Sequence, residues 1–386
     1  MATAFDVIVL GVGAMGSAAC HHLASRGARV LGLEQFPLVH DRGSSHGETR
    51  IIRQAYFEHP NYVPLLKRAY ELWERVEGED PHQPGLFEQV GLVLSGRPEG
   101  ETIRGAKTSA EMHDLIIEEL TPIDASRRWP AFSFPADHAV VYEPKAGFLR
   151  VEACVQRQID AAMNLGAQIH SDERAVEWSS NGTSVVVRTD RAEYAAASLV
   201  ITAGAWAGQC LENLGLSLNV VRKFVGWFPI DKSRASAATH NFKQGMPTYF
   251  FELPHGTFYG FPSIDGNTVK VAEHSGGQSV DDPSQVNRQM NEDDLLRLRR
   301  FIGTYLPGLG HDPAKFSICL YTMTPDQHFI VDLHPQWRNV AFAAGFSGHG
   351  FKFAPVMGEA LADLSLQQKT PLPIEFLSLR RLQQPA

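Results

Sequence analysis

The hydrophobic positions change period several times along the chain. Asp6-Val-Ile-Val-Leu10 is an apolar run too short for a helix and closed by glycine, which predicts a buried strand. Ala14 to Arg26 is helix-compatible and stops at Gly27, and Arg29 to Leu33 is a second apolar strand ending at Glu34. Tyr62, Leu65, Leu66, Ala69, Leu72 and Trp73 share one face of an amphipathic helix predicted over 60–79. Gly85 to Ser95 reads as strand, Met112 to Glu119 as helix, and Trp129 to Gly147 as loop with short strands. Helical periodicity returns from Phe148 to Leu165, with Gly166 as its stop. Alternation at Ala175 to Trp178 and Ser184 to Val187, and the apolar run Ser198 to Gly204, predict three more strands. From 216 to 275, short β-rich segments alternate with turns at Pro254-His-Gly256 and Asp265-Gly-Asn267. Glu292 to Tyr305 is helical. Asn339 to Gly345 is a strand followed by a glycine-rich turn and the helical run Val356 to Leu366.

Nucleotide-type elements therefore lie at the start, middle and end, with β-rich elements between. This order predicts an α/β protein with a discontinuous, Rossmann-like dinucleotide domain interrupted by an inserted antiparallel β-sheet plus helices. The predicted boundaries are 1–88, 150–215 and 322–386 for the dinucleotide domain. The inserted domain takes 89–149 and 216–321.

Gly11, Gly13 and Gly16 form Gly-x-Gly-x-x-Gly between the first strand and the first helix. With the second strand and Glu34, they make the strand–turn–helix–strand–acid order of a dinucleotide site. Gly11 permits the tight turn, Gly13 lets backbone approach a pyrophosphate, and Gly16 lets helix and strand pack closely. The helix N-terminus offers N–H groups and a positive dipole end to phosphates. Glu34 can accept hydrogen bonds from a ribose diol.

The chain has 386 residues, 44% of them apolar and 20% charged, which suits a globular protein with large cores. A net charge of −8 argues against nucleic acid or an anionic membrane surface as partner. No apolar run is long enough to span a bilayer, and the first strand begins too early to leave room for a signal peptide, so a cytoplasmic enzyme is expected. Cys20, Cys154, Cys210 and Cys319 are widely spaced, which indicates neither a metal site nor a disulfide framework.

Against an acidic background, local basic clusters stand out. Ser45 and Glu48 have capping-box spacing, which predicts a helix starting near His46, with Arg50 one turn along and Arg53 one turn further. Taken singly, His46 reads as a packed or capping histidine, and Arg50 and Arg53 as surface charges. Together beside Ile51 and Ile52 they suggest an anion site. Alternation puts Lys270 and His274 on one strand face, and Tyr259 and Phe261 on one face of another. Lys270 is either solvent-facing or buried for function. Cys319 reads as a small buried residue. Gly345-Phe-Ser-Gly-His-Gly-Phe-Lys352, between strand and helix, can place backbone N–H groups against an anionic ligand edge.

With these blocks in order, the chain is similar to the monomeric sarcosine oxidase family, which includes N-methyltryptophan oxidase and pipecolate oxidase. The similarity rests on the glycine fingerprint, Ser45-His-Gly-Glu-Thr-Arg-Ile-Ile-Arg53, Phe258-Tyr-Gly-Phe-Pro262, Cys319-Leu-Tyr-Thr322, Phe329-Ile-Val-Asp332 and Gly345-Phe-Ser-Gly-His-Gly-Phe-Lys-Phe353. It spans essentially the whole chain. The resemblance implies a glutathione-reductase-type FAD-binding domain and a substrate domain. It implies covalent FAD, joined through the Cys319 sulfur to the flavin methyl carbon (an 8-alpha-S-cysteinyl link), which displaces the plain reading of that residue. It implies that Arg53 and Lys352 grip a substrate carboxylate while Tyr259, His274, Tyr321 and Phe250 border the substrate. His46 and Arg50 are implied against one flavin face, and Lys270 on that side, where oxygen is reduced. Ser45, Val176, Gly204, Gly345, Gly348, Gly350 and Lys352 are implied beside the cofactor with the fingerprint glycines and Glu34.

The implied activity is oxidation of an N-methyl amino acid such as sarcosine to an imine, with O2 reduced to H2O2 by a monomeric enzyme. Oxidation of cyclic secondary amino acids such as pipecolate or proline, or electron transfer to another acceptor, are the alternatives. The chain departs from the family pattern at Ser45, where a second histidine is common. It departs again at Ala272, where glycine is common, and at Phe250, where several sarcosine-active members carry methionine.

Overall fold

A computed structural model describes residues 5–78, 85–233 and 239–382. Among these residues, an eight-stranded sheet carries the nucleotide-type elements. Its centre is parallel. Phe5–Leu10 pairs with Val30–Leu33 on one side and Glu193–Ile201 on the other, and Val340–Ala344 and Gln168–His170 extend the parallel order. Ala175–Ser180, Val185–Thr189 and Ile330–Leu333 add antiparallel edges. The parallel strands are nearly all apolar because both faces are buried, one of them under helices. Ala14–Ser25, Val151–Asn164, Tyr62–Gly78 and Ala354–Gln367 supply that layer, burying Ala19, Leu23, Cys154, Ile159, Leu66, Trp73, Val356 and Leu361 in one core.

A second, nine-stranded sheet is drawn from Leu92–Gly96, Glu118–Leu120, Ala139–Glu143 and the strands between Asn219 and Met323. One face packs on the helix Glu292–Tyr305 through Leu295, Leu298, Phe301 and Ile302, with the Phe258 and Phe301 rings stacked 4.6 Å apart. The opposite face presents Phe250, Tyr259, Ala272, Cys319 and Tyr321 as a separate buried cluster. The alternation anticipated for Tyr259 and Phe261 is present, and Lys270 lies directly across from Phe261 on the same face.

Three local predictions fail. Thr49–Ile52 is a strand, not the first turns of a helix, paired with Gly147–Arg150 in a small three-stranded sheet. The supposed capping box is not used as one. Ser45 Oγ accepts the Ala14 N–H, capping the dinucleotide helix across the chain, and Glu48 Oε2 accepts the Trp227 Nε1–H. The β-branched pair Ile51–Ile52 favours the pleated partner over a short helix. The helix expected over Met112 to Glu119 lies earlier, at Glu101–His113, and ends at Asp114 in the left-handed region with φ 53. Glu118–Leu120 is a strand. Finally, Gly147–Arg150 is a strand, and the helix expected from Phe148 begins at Val151.

Candidate active site

The dinucleotide turn is built by steric necessity. Gly11 has φ 86, in the left-handed region, and a Cβ on Gly16 would stand 1.8 Å from the Gly11 carbonyl oxygen. Gly13 differs, because the nearest atom to a Cβ there is Ser45 Oγ at 3.5 Å. Its α-carbon faces a cavity of about 700 Å³ that runs along the carboxyl ends of the parallel strands. Glu34 is buried at the cavity wall, its carboxylate accepting the Val12 and Phe36 N–H groups. Val176, Gly204, Ser45, Gly345, Gly348 and Gly350 line the same cavity. The bare glycine floor, the acid at the second strand and the helix N-terminus fit a dinucleotide.

At the inner end stands Cys319, in the strand Lys315–Met323. Arg50 Nη2 donates to its sulfur at 3.3 Å and to the Ser44 carbonyl at 3.0 Å. Burial alone would raise the thiol, but the Arg50 charge, a hydrogen bond and charge from His46, and Lys270 outweigh it and bring it down to about 6. His46 lies buried behind the sulfur, bonded to the Gly43 carbonyl and Ser317 Oγ, and lines neither this cavity nor the next. The predicted helix that was to join His46 and Arg50 does not exist. A strand and a turn bring them to the same atom instead.

Lys270 also lines neither cavity. It is buried, with its Nζ donating to the Gly47 carbonyl at 2.5 Å, the Thr49 carbonyl at 2.7 Å and Thr49 Oγ1 at 3.1 Å. The Phe261 ring centroid is 4.5 Å away. Burial and then the Arg50 charge push the ammonium well below its ordinary value. Three acceptor oxygens for three protons favour the charged form.

A second, smaller cavity of about 60 Å³ adjoins the first. Arg50, Tyr321, Gly348 and Phe351 line both. Arg53, Lys352, Tyr259, His274 and Phe250 meet around it, so the structure brings together the residues expected to border a substrate. Lys352, expected beside both cofactor and substrate, lines only this cavity. Its Nζ donates to the His349 carbonyl at 2.6 Å. Burial and Arg53 bring the ammonium down to about 7. Arg53 lies between the Tyr56 and Phe57 rings, 4.1 Å from each centroid. It donates to both oxygens of Glu58 at 2.7 and 2.6 Å. Burial opposes the Glu58 charge, yet Arg53, His349 and Lys352 hold its carboxyl down to about 2. Phe57 and Phe250, with ring centroids 5.1 Å apart, close the apolar wall.

Glu58, Phe57, His349 and Lys223 were not singled out in the sequence. Glu58 follows Arg53 within one loop, a usable signal. Arg222-Lys223 interrupts an otherwise apolar strand, Asn219–Pro229, which marks both as buried cations. Arg222 pairs with Asp294, while the Lys223 protons go to main-chain carbonyls. Among the described residues no cluster could hold a metal ion, and no helix is long and apolar enough to cross a membrane.

The fold and the cavity define an FAD-dependent oxidoreductase, and the profile of the FAD dependent oxidoreductase family matches residues 6–364. Within it, the chain belongs to the monomeric sarcosine oxidase family. It is 42% identical to monomeric sarcosine oxidase of Streptomyces avermitilis, covering 99% of each chain. It is 38% identical to monomeric sarcosine oxidase of a Bacillus species, covering 99% of this chain and 97% of the relative. N-methyl-L-tryptophan oxidase of Yersinia pestis is 34% identical over 98% of this chain and 99% of its own. Among solved structures, NikD, described as an unusual amino acid oxidase essential for nikkomycin biosynthesis, aligns with a TM-score of 0.83 at 25% identity over 97% of both chains. Glycine oxidase from Geobacillus kaustophilus shares the fold, with a TM-score of 0.80 at 21% identity over 97% of this chain and 98% of its own.

Proposed function

We propose that this protein oxidises small N-methyl amino acids such as sarcosine at the C–N bond, with O2 as electron acceptor and FAD bound covalently at Cys319. The observation that carries the reading is the meeting of Arg53 and Lys352 in a small aromatic-walled cavity that adjoins the FAD cavity, with Tyr321 and Gly348 lining both. Bound FAD would supply the two-electron acceptor for the carbon beside nitrogen and hand both electrons to O2.

The residues have separable tasks. Arg53 offers a planar fork to a carboxylate and Lys352 a point charge. An incoming carboxylate competes with Glu58 for the Arg53 fork, which ties capture to movement of that side chain. Oxidation needs the neutral amine with its lone pair, and the positive charge of Arg53 and Lys352 lowers the pKa of a bound ammonium. Tyr259, Tyr321 and His274 form a polar wall. The Tyr259 and Tyr321 hydroxyls are 3.4 Å apart, and the Tyr321 hydroxyl is 3.4 Å from His274 Nδ1. Phe57 and Phe250 leave room for a methyl or a short side chain, which favours sarcosine over bulkier amino acids. Lys270 sits under the 47–49 turn with an acceptor for each ammonium proton, and in its charged form it is suited to stabilising negative charge that develops on oxygen. A thiol at about 6 is largely thiolate at neutral pH, suited to a thioether link from Cys319. The imine product hydrolyses to glycine and formaldehyde when sarcosine is the substrate.

The same reading has a monomer working in the cytoplasm. It assigns 1–88, 150–215 and 322–386 to FAD and 89–149 and 216–321 to substrate, a division that the two large sheets support. The purified protein should release H2O2 and formaldehyde from sarcosine in air, and its yellow colour should stay in an acid-precipitated pellet. No peroxide from any secondary amino acid would refute the substrate class. Colour lost to the supernatant would refute the covalent link.

A further inference from the structure

Lys223 lies in the middle of the strand Asn219–Pro229, directly across from Cys319 in the neighbouring strand. It is 4% exposed. Its Nζ donates to the carbonyls of three consecutive residues: His274 at 3.0 Å, Ser275 at 2.6 Å and Gly276 at 3.0 Å. That uses every proton of an ammonium. Desolvating a cation is costly, and main-chain carbonyls at a strand end otherwise find water or ladder partners at little cost. The arrangement is therefore more than a means of satisfying three carbonyls.

Those carbonyls belong to the bend where the chain leaves the strand Thr268–Glu273, and His274 at its start forms part of the small-cavity wall. Lys223 also stands 5.2 Å from the Tyr321 ring centroid. It thus holds the backbone of one wall residue and faces the ring of another, while itself lining neither cavity. Space around it is tight. A Cβ on Gly277, which has φ 110, would stand 3.1 Å from the Lys223 Cδ and 2.8 Å from the Arg222 carbonyl oxygen. Glycine at 277 lets the bend fold down over the lysine. The charge also reaches the His274 ring: burial first, then Lys223, bring that imidazole down to about 3. His274 therefore stays neutral and able to accept or donate one hydrogen bond at the wall.

We infer that Lys223 is a positioning residue for the small cavity: by gathering the 274–276 carbonyls it fixes His274 and Tyr321 where a carboxylate-bearing amine docks. This rests on the proposed substrate reading for the identity of the ligand, but not for the positioning itself.

The test uses the FAD-loaded protein with Lys223→Met, the milder Lys223→Gln, His274→Asn, and the double variant Lys223→Met/His274→Asn. FAD content and thermal midpoint are checked for each. Two readouts are taken: steady-state kinetics with sarcosine, and acetate binding followed by perturbation of the visible flavin absorption. Lys223→Met should raise the sarcosine KM and the acetate Kd about tenfold while kcat changes less than about threefold. Because part of the Lys223 effect runs through His274, adding Lys223→Met to His274→Asn should raise KM by clearly less than the roughly tenfold expected in the otherwise unsubstituted protein.

Additive losses in the double variant, or an unchanged acetate Kd in Lys223→Met, overturn the inference. So does a kcat loss as large as the KM effect. If Lys223→Met does not load FAD, Lys223→Gln carries the same comparison with the same signs. If the unsubstituted protein makes no peroxide from sarcosine, the substrate reading fails, and acetate binding alone still decides the role of Lys223.

Discussion

The two adjoining cavities are built by opposite means. At the nucleotide end, the wall of the fingerprint is made of backbone and missing side chains: Gly11, Gly13, Gly16 and a helix N-terminus, with Glu34 as the acid of the second strand. These residues lie within one strand–helix–strand unit. At the catalytic end, the lining carries cations, the half-buried Arg50 and the buried Arg53 and Lys352, with Lys270 buried outside both cavities. Lys270 and Arg50 find partners in remote segments, the Gly47 carbonyl and Cys319, while Arg53 and Lys352 hold Glu58 and the His349 carbonyl from their own loops and meet only when those loops converge. A backbone turn is close to self-sufficient. A buried charge is tolerable only where other elements have already placed acceptors around it. The comparison teaches that the first end can be encoded locally, whereas the second exists only once both sheets are assembled.

The contrast can be broken at the nucleotide end first. Gly16→Ala drives a Cβ into the Gly11 carbonyl and should abolish FAD loading and yield little soluble protein. Gly13→Ala, with open space around it, should fold normally yet lose FAD, as read by visible absorbance per protein and by thermal midpoint. Equal behaviour of the two variants would refute the division of labour between these glycines.

At the catalytic end, Lys270→Met should slow reoxidation by O2 about 10²–10³-fold while leaving anaerobic reduction by sarcosine within a few-fold. Stopped-flow traces of the two half-reactions decide this, and equal slowing of both would remove Lys270 from the oxygen step. Arg53→Met should raise the sarcosine KM about 10²-fold, through loss of a charge-assisted fork to carboxylate. A secondary amine lacking a carboxylate should be oxidised equally by both proteins, and a selective loss for that amine would count against carboxylate capture.

The smallest effect is a pH dependence. Lys352 is charged below about 7 and neutral above it. Affinity for acetate should therefore fall as pH rises through 7, by at most about tenfold per pH unit. Lys352→Met should flatten that step. A step of the same size in the variant would assign it to another group.

The fingerprint, the buried strands, the amphipathic helix at Tyr62–Gly78 and the helix at Glu292–Tyr305 were legible from periodicity, because each has a strong local pattern. The 46–53 segment was misread because a capping-box spacing is also satisfied by residues that cap something else. Ser45 serves the distant helix at Ala14, and Glu48 serves Trp227. Family resemblance pointed to Cys319, Lys270 and Lys352, whereas periodicity alone left Cys319 as a small buried residue and Lys270 undecided.

What the chain determined by itself is its dinucleotide turn and the alternation of its strands, since those depend on steric limits and side-chain period within a few residues. Tertiary structure alone decided that Arg50 and His46 flank one sulfur and that Arg53 is held by Glu58. It also decided that Lys223 ties down the bend carrying His274. The contacts to Cys319 and from Lys223 join residues far apart in sequence. Arg53 and Glu58 are neighbours in one loop, but burial gives their charges strength only after water has been excluded by the completed fold.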